Sequence, residues 1–235
     1  MSSSQKRTYD CSPVCPPSLE SGDSLSREEF HAIYETTSES VKAELLAGVV
    51  YVSHSLRRAH GKNHGRLNTI FDYYVHLTPG VEMLDNASVF LSDQDEVQPD
   101  LQLRILPEYG GQSKNTYDDY IVGAPELVAE IANSSKSIDL HLKLKRYEKF
   151  GVHEYLVYCL NPQQLHFFNL QSKPRKDLVI SNGIYKSTVF PGLWIDVDAL
   201  FAMNLQRSIE VLHEGISDAD HASFIQQLRN SKRSD

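Results

Sequence analysis

The stretch from Pro125 to Leu160, "PELVAEIANSSKSIDLHLKLKRYEKFGVHEYLVYCL", limits the architecture more than any other part of the chain. Leu127, Val128, Ala129, Ile131 and Ala132 form an apolar run of strand length with Pro125 at its entry. Ser134, Ser135 and Ser137 are suited to cap a helix over about residues 137–150, and Gly151 stands where such a helix stops. A short crossover then leads into "HEYLVYCL", which reads as a second buried strand. Strand, helix, strand in this order predicts a right-handed parallel unit within a mixed sheet. Glu130 sits inside the first strand, and an ionised carboxylate there is costly unless a cation answers it. A divalent metal ion is one such cation.

Around this unit the chain reads as further strands and amphipathic helices. Ser26 followed by Glu28 and Glu29 marks a helix start. "AELLAGVVYVS" predicts a hairpin hinged at Ala47 and Gly48. From Lys62 the residues Leu67, Ile70, Phe71, Tyr74 and Val75 recur at helical spacing to about Leu77, closed by Pro79 and Gly80. Strands follow around 81–84, 87–91 and 97–105. In the last of these, Val97, Pro99, Leu101, Leu103 and Ile105 share one parity, while Gln98, Asp100, Gln102 and Arg104 share the other. Residues 107–124 read as a long polar loop, and "QLHFFNL", "DLVIS" and "IYKSTVFPGLWID" as later strands. Asp196 and Asp198 start terminal helices that include "HASFIQQLRN". Trp194, Phe167 and Phe168 are expected in the core. Residues 1–24, rich in Ser and Pro, read as a disordered arm, 25–205 as one domain and 206–235 as a C-terminal helical extension.

With 235 residues, 40% hydrophobic and 23% charged, the chain can bury a real core, and no apolar run reaches membrane-crossing length. Its first residues lack the apolar core of a secretory signal, so a cytoplasmic location is expected. Cys11 and Cys15 have no second Cys/His pair nearby at zinc-site spacing, and Cys159 reads as a small core residue.

A net charge of −8 argues against a protein wrapped in non-specific nucleic-acid contacts, but the charge is segregated. Residues 57–66 carry Arg57, Arg58, Lys62 and Arg66 without an acid, a candidate strip for a phosphate backbone. Residues 81–100 carry Glu82, Asp85, Asp93, Asp95, Glu96 and Asp100 without a base. Two carboxylates from neighbouring strands, Asp100 and Glu130, can share one hard cation and leave room for water and a phosphate oxygen. Asp139 and Lys143 stand four apart on the helix, so Lys143 can reach toward such a centre. The bland alternatives are a surface pair worth roughly 0.2–0.5 kcal/mol and a structural bridge from Glu130 to Arg104 or another cation. His60 and His64 can share one turn, but Gly61 weakens a helix there and no acidic third ligand adjoins. Phosphate contact or ordinary surface suits them better than zinc.

"QPD" at 98–100, "PELVAEI" at 125–131, "SSKSIDLHLKLKRY" and "GVHEYLV" at 151–157 together resemble the Uma-two family of bacterial restriction endonuclease domains, within the PD-(D/E)XK nuclease-like superfamily. "AELLAGVVYVS" with a following His, and the late "FPGLWID", match the family's order. The resemblance implies a restriction-endonuclease-like α/β core, a central mixed β-sheet flanked by helices, and Mg²⁺-dependent hydrolysis of DNA, with Mn²⁺ as a substitute ion. By it, Asp100 is the aspartate of the PD motif, Glu130 the acid of the second motif, and the carbonyl of Ile131 a further metal ligand. The lysine expected two residues after the glutamate is replaced by Ala132. Lys143 from the next helix, or Lys145, would serve instead, and Glu44 would be an added ligand or stand behind the ligands. A homodimer is expected, because cutting two strands needs two centres. The alternative is a module that keeps the nuclease fold and binds nucleic acid or another partner without turnover.

Overall fold

The computed structural model describes residues 18–38, 40–53, 57–172, 176–177, 180 and 182–232; Cys11, Cys15 and most of "DLVIS" lie outside them. The described end of the stretch read as an arm packs on the fold. Leu19 is buried with Phe30 and Val50, and Ser24 bridges Val49, because an apolar residue there finds a place beside the first hairpin. A capping box between Ser26 and Glu29 starts α1 (Arg27–Tyr34), worth about 1 kcal/mol. β1 (Lys42–Leu46) and β2 (Val49–Ser53) turn back at Ala47 and Gly48, whose φ values of 55° and 78° give the two-residue turn that matches strand twist.

α2 (Arg58–His76) buries Leu67, Ile70, Phe71 and Tyr74 on one stripe. It starts four residues before Lys62. The early turns contain Gly61 and Gly65, each costing about 1 kcal/mol of helix propensity, and tertiary contacts of the intervening histidines hold them in place.

β3 (Val81–Asp85), β4 (Val89–Ser92), β5 (Asp95–Val97) and β6 (Leu101–Ile105) follow. The span 97–105 is thus two strands, not one. They lie in different sheets, and the chain crosses between them at Gln98-Pro99-Asp100, where Pro99 has no N–H for a ladder. The segment 107–124 also holds structure: β7 (Lys114–Asn115) and β8 (Ile121–Val122) join a sheet, too short to leave a periodic signal.

β9 (Leu127–Ala132) leads into a π-helical turn (Ile138–Lys143), α3 (Leu144–Phe150) and β10 (Glu154–Leu160), with β9 and β10 parallel as the sequence predicts. β11 (Gln163–Asn169), β12 (Lys176–Asp177), the hairpin β13 (Ile184–Lys186) and β14 (Trp194–Asp196), and helices α4 (Val197–Phe201), α5 (Leu205–Ile216) and α6 (Ala219–Ser231) complete the chain.

The strands form two six-stranded mixed sheets, β2-β1-β5-β4-β8-β7 and β12-β11-β10-β9-β6-β3, with β13-β14 apart. One core lies between the second sheet and α2, α5 and α6, where Leu103, Ala129, Ile131, Phe71, Leu212 and Phe224 meet. Another lies on the opposite face of that sheet, where Val128, Ala132 and Val157 meet Leu144 and Tyr147 of α3 and Leu46 and Val97 of the first sheet. Each fully buried aliphatic or aromatic side chain contributes about 1.5–3 kcal/mol. Phe167, Phe168 and Cys159 are buried as expected. Trp194 is not: it is half-buried and carries the Lys186 amine on its ring face at 3.2 Å.

Candidate active site

Alternation along β9 decides where Glu130 points. Leu127, Ala129 and Ile131 enter the α2-side core, so Glu130 shares the other face with Val128 and Ala132, toward α3 and β1. There Glu130 Oε1 accepts hydrogen bonds from Lys143 Nζ at 2.9 Å and from the Tyr147 hydroxyl at 3.0 Å. Lys143 Nζ also lies 2.7 Å from Glu44 Oε2 and 3.8 Å from Asp139 Oδ1. Glu44 comes from β1, and its other oxygen accepts the Gln98 N–H at 2.8 Å. Asp139 and Lys143 both face inward from a wide π turn, a distortion that recurs at functional sites.

Glu44, Glu130, Asp139 and Lys143 are all buried. Burial pushes the Glu130 carboxyl up to about 8, against the pull of the Lys143 charge, and it raises Asp139 as well. Burial also works against the charge of Lys143, but the carboxylates of Glu130, Glu44 and Asp139 outweigh it and hold the amine well above the ordinary lysine range.

Asp100 reaches the same place from β6. β6 and β9 run antiparallel with Leu101 opposite Ala129, so Asp100, one residue earlier, comes level with Glu130. Its Oδ2 accepts the backbone N–H of Ile131 at 2.8 Å and lies 3.2 Å from His60 Nε2. A carboxylate only accepts, so Nε2 carries the hydrogen. The other ring nitrogen, Nδ1, is buried without a hydrogen-bond partner among the described residues. Asp100 Oδ1 lies 3.3 Å from Lys42 Nζ, which donates to Asn86 Oδ1 at 2.6 Å. Although burial opposes the charge, the His60 hydrogen bond, Lys42 and the Ile131 N–H hold the Asp100 carboxyl well below the usual range. His64, stacked on His60, adds contacts at 3.1 Å to the Asp100 carbonyl and 3.3 Å to Asp85 Oδ1.

The structure therefore brings Asp100, Glu130, Ile131, Lys143 and Glu44 together. Lys145 is exposed and points away. Arg104 pairs with Glu82 at 2.5 Å rather than with Glu130, whose cation is Lys143, and Asp139 and Lys143 are interior rather than a surface pair. Arg58, Lys62 and Arg66 recur every four residues along the same helix as His60 and His64. Arg57, Arg58 and Lys62 are exposed, and Arg66 is half-buried. His60 and His64 correct the expectation of surface or phosphate-contact histidines, because the early start of α2 turns both toward Asp100. Lys42, Asn86 and Tyr147 were not foreseen. Their partners lie 58, 44 and 17 residues away, and only the i, i+4 histidine spacing left any trace in sequence.

No curated protein matches the chain. Its fold is similar to a crystal structure of a "putative nuclease belonging to DUF820" from Anabaena variabilis ATCC 29413, at 12% identity, 76% coverage of this chain, 98% coverage of that chain and a TM-score of 0.59. The family model described as "Putative restriction endonuclease" matches residues 27–198, a span that holds every side chain of the cluster, and the chain belongs to that family, Uma2.

Proposed function

We propose that the chain is a divalent-metal-dependent nuclease that hydrolyses DNA phosphodiester bonds at Asp100 and Glu130. One observation carries this reading beyond family membership. Among the described residues, the carboxylates of Glu44, Asp100, Glu130 and Asp139, all buried, are answered by two ammonium groups, Lys42 and Lys143. The buried carboxylates of the cluster thus outnumber the ammonium groups that face them. Buried carboxylates left without a counter-charge are costly, and the raised Glu130 and Asp139 carboxyls express that cost.

The donor chemistry fits such an ion. Among the described residues no three His, Cys, Asp or Glu side chains form a metal cage. Mg²⁺ is commonly held by one or two carboxylates and completes its shell with water and substrate phosphate. Asp100, Glu130 and the Ile131 carbonyl would hold it, with Mn²⁺ as a substitute. When bound, the ion supplies Lewis acidity at the phosphate and a more acidic water.

The chain's own residues do the rest. His60 and the Ile131 N–H fix one oxygen of Asp100, and Tyr147 fixes Glu130. Lys143, kept protonated by Glu44 and Asp139, offers positive charge to the phosphoryl oxygens as negative charge builds on them. Arg57, Arg58, Lys62 and Arg66 bind backbone phosphates along the outer face of α2. Incubating supercoiled plasmid with the protein and Mg²⁺ or Mn²⁺ tests the reading: wild type cuts, while Asp100→Asn and Glu130→Gln do not. Equal inertness of all three, with DNA retarded on a gel in a steeply salt-dependent way, favours instead the module that binds without turnover.

A further inference from the structure

We infer that Lys42 is a positioning residue that occupies the cation seat of Asp100 in the metal-free protein and gives way when a divalent ion binds. The inference rests on the nuclease reading above. Asp100 Oδ2 is committed to two N–H groups of the protein, His60 and Ile131, which leaves Oδ1 as the oxygen open to a cation. Lys42 Nζ faces that oxygen at 3.3 Å. This is long for a charge-assisted bond, whose usual length is about 2.7–2.9 Å.

The same amine is 2.6 Å from Asn86 Oδ1, so its firm anchor is the amide and its hold on Asp100 is loose. Asn86 is built for that task. It occupies the left-handed turn after β3 at φ 51°, and its own NH₂ group donates to Asp85 Oδ1.

The two lysines of the cluster differ accordingly. Lys143 makes contacts of 2.7 and 2.9 Å with 6% of its side chain exposed, so it is locked in place. Lys42 has 24% of its side chain exposed, so it has a way out. Lys42 therefore stabilises the buried Asp100 charge before the ion arrives and competes with the ion for Oδ1.

The test is a Mn²⁺ titration of the full chain without DNA, by calorimetry or electron paramagnetic resonance, on wild type, Lys42→Met, Lys42→Arg and Asn86→Gly. Lys42→Met is expected to bind Mn²⁺ about tenfold more tightly, because a competing unit charge is gone. Lys42→Arg, which keeps the charge, should behave as wild type. Asn86→Gly suits the turn but removes the anchor, so Lys42 falls more firmly on Asp100 and Mn²⁺ binds more weakly. The two expected shifts have opposite signs, which misfolding cannot mimic. Binding by Lys42→Met where wild type binds none supports the same conclusion. Wild-type binding with Lys42→Met equal or weaker overturns the inference and leaves the nuclease reading standing. Absence of binding in every variant overturns both.

Discussion

Lys143 donates into a space that water barely enters, and two of its carboxylate contacts are shorter than 3 Å, so its charge is a requirement of the packing as well as of the chemistry. Lys143→Met should lower cleavage by about 10²- to 10³-fold, the usual range for loss of a group that stabilises developing negative charge. It should also cost about 3–5 kcal/mol of stability by leaving buried carboxylates uncompensated. The two losses can be separated, because Lys143→Met combined with Glu130→Gln should recover part of the stability in urea unfolding and none of the cleavage. At this scale the sequence was legible where motif and resemblance named a residue: Lys143 bonds Glu130, and Asp100 stands level with Glu130 on the neighbouring strand. It was silent on Lys42 and misleading on His60, whose roles exist only once β1, α2 and β6 pack together. Gly61, a poor helix former, actively pointed away from His60.

The π turn and α3 show how an element serves a site it does not itself contain. A regular α-helix turns about 100° per residue, so deleting the exposed His141 should close the wide turn and rotate Lys143 about the helix axis away from Glu130. Cleavage should fall at least about tenfold with helix content by circular dichroism unchanged; unchanged cleavage would mean that the turn is incidental. α3 is tied to the first sheet by Arg146, which donates to both oxygens of Asp95, with Nε at 2.6 Å from Oδ1. Burial opposes the Asp95 charge, but Arg146, Ser92 and the Ala47 N–H outweigh it and hold the carboxyl below its usual 3.8. A depressed folded pKa contributes stability above the unfolded value and loses it as pH falls through the folded one. Arg146→Ala should therefore cost about 3 kcal/mol near neutral pH. The gap from wild type should close as pH falls below about 4, as read from urea midpoints across pH. Among elements, long periodic segments such as α2 and β9 to β10 were legible. The break at Pro99 was hidden because alternation runs unbroken across it, and β7 and β8 are too short to alternate.

Across the whole molecule, the second sheet positions Glu130 and, at the entry to β6, Asp100; the π turn carries Asp139 and Lys143, the first sheet supplies Glu44 and Lys42, and α2 carries the basic residues on the face opposite His60 and His64. No helix among the described residues is long and apolar enough to cross a membrane. If Arg58, Lys62 and Arg66 contact DNA phosphates, replacing all three by Ala should reduce the slope of log affinity against log salt by about 3. An unchanged slope would place the DNA elsewhere. The most direct measurement is anomalous scattering from crystals soaked in Mn²⁺. The expected result is one manganese peak about 2.0–2.3 Å from carboxylate oxygens of both Asp100 and Glu130, with the Lys42 amine moved off Asp100. Manganese bound elsewhere, or none between these two side chains in fully soaked crystals, would contradict it.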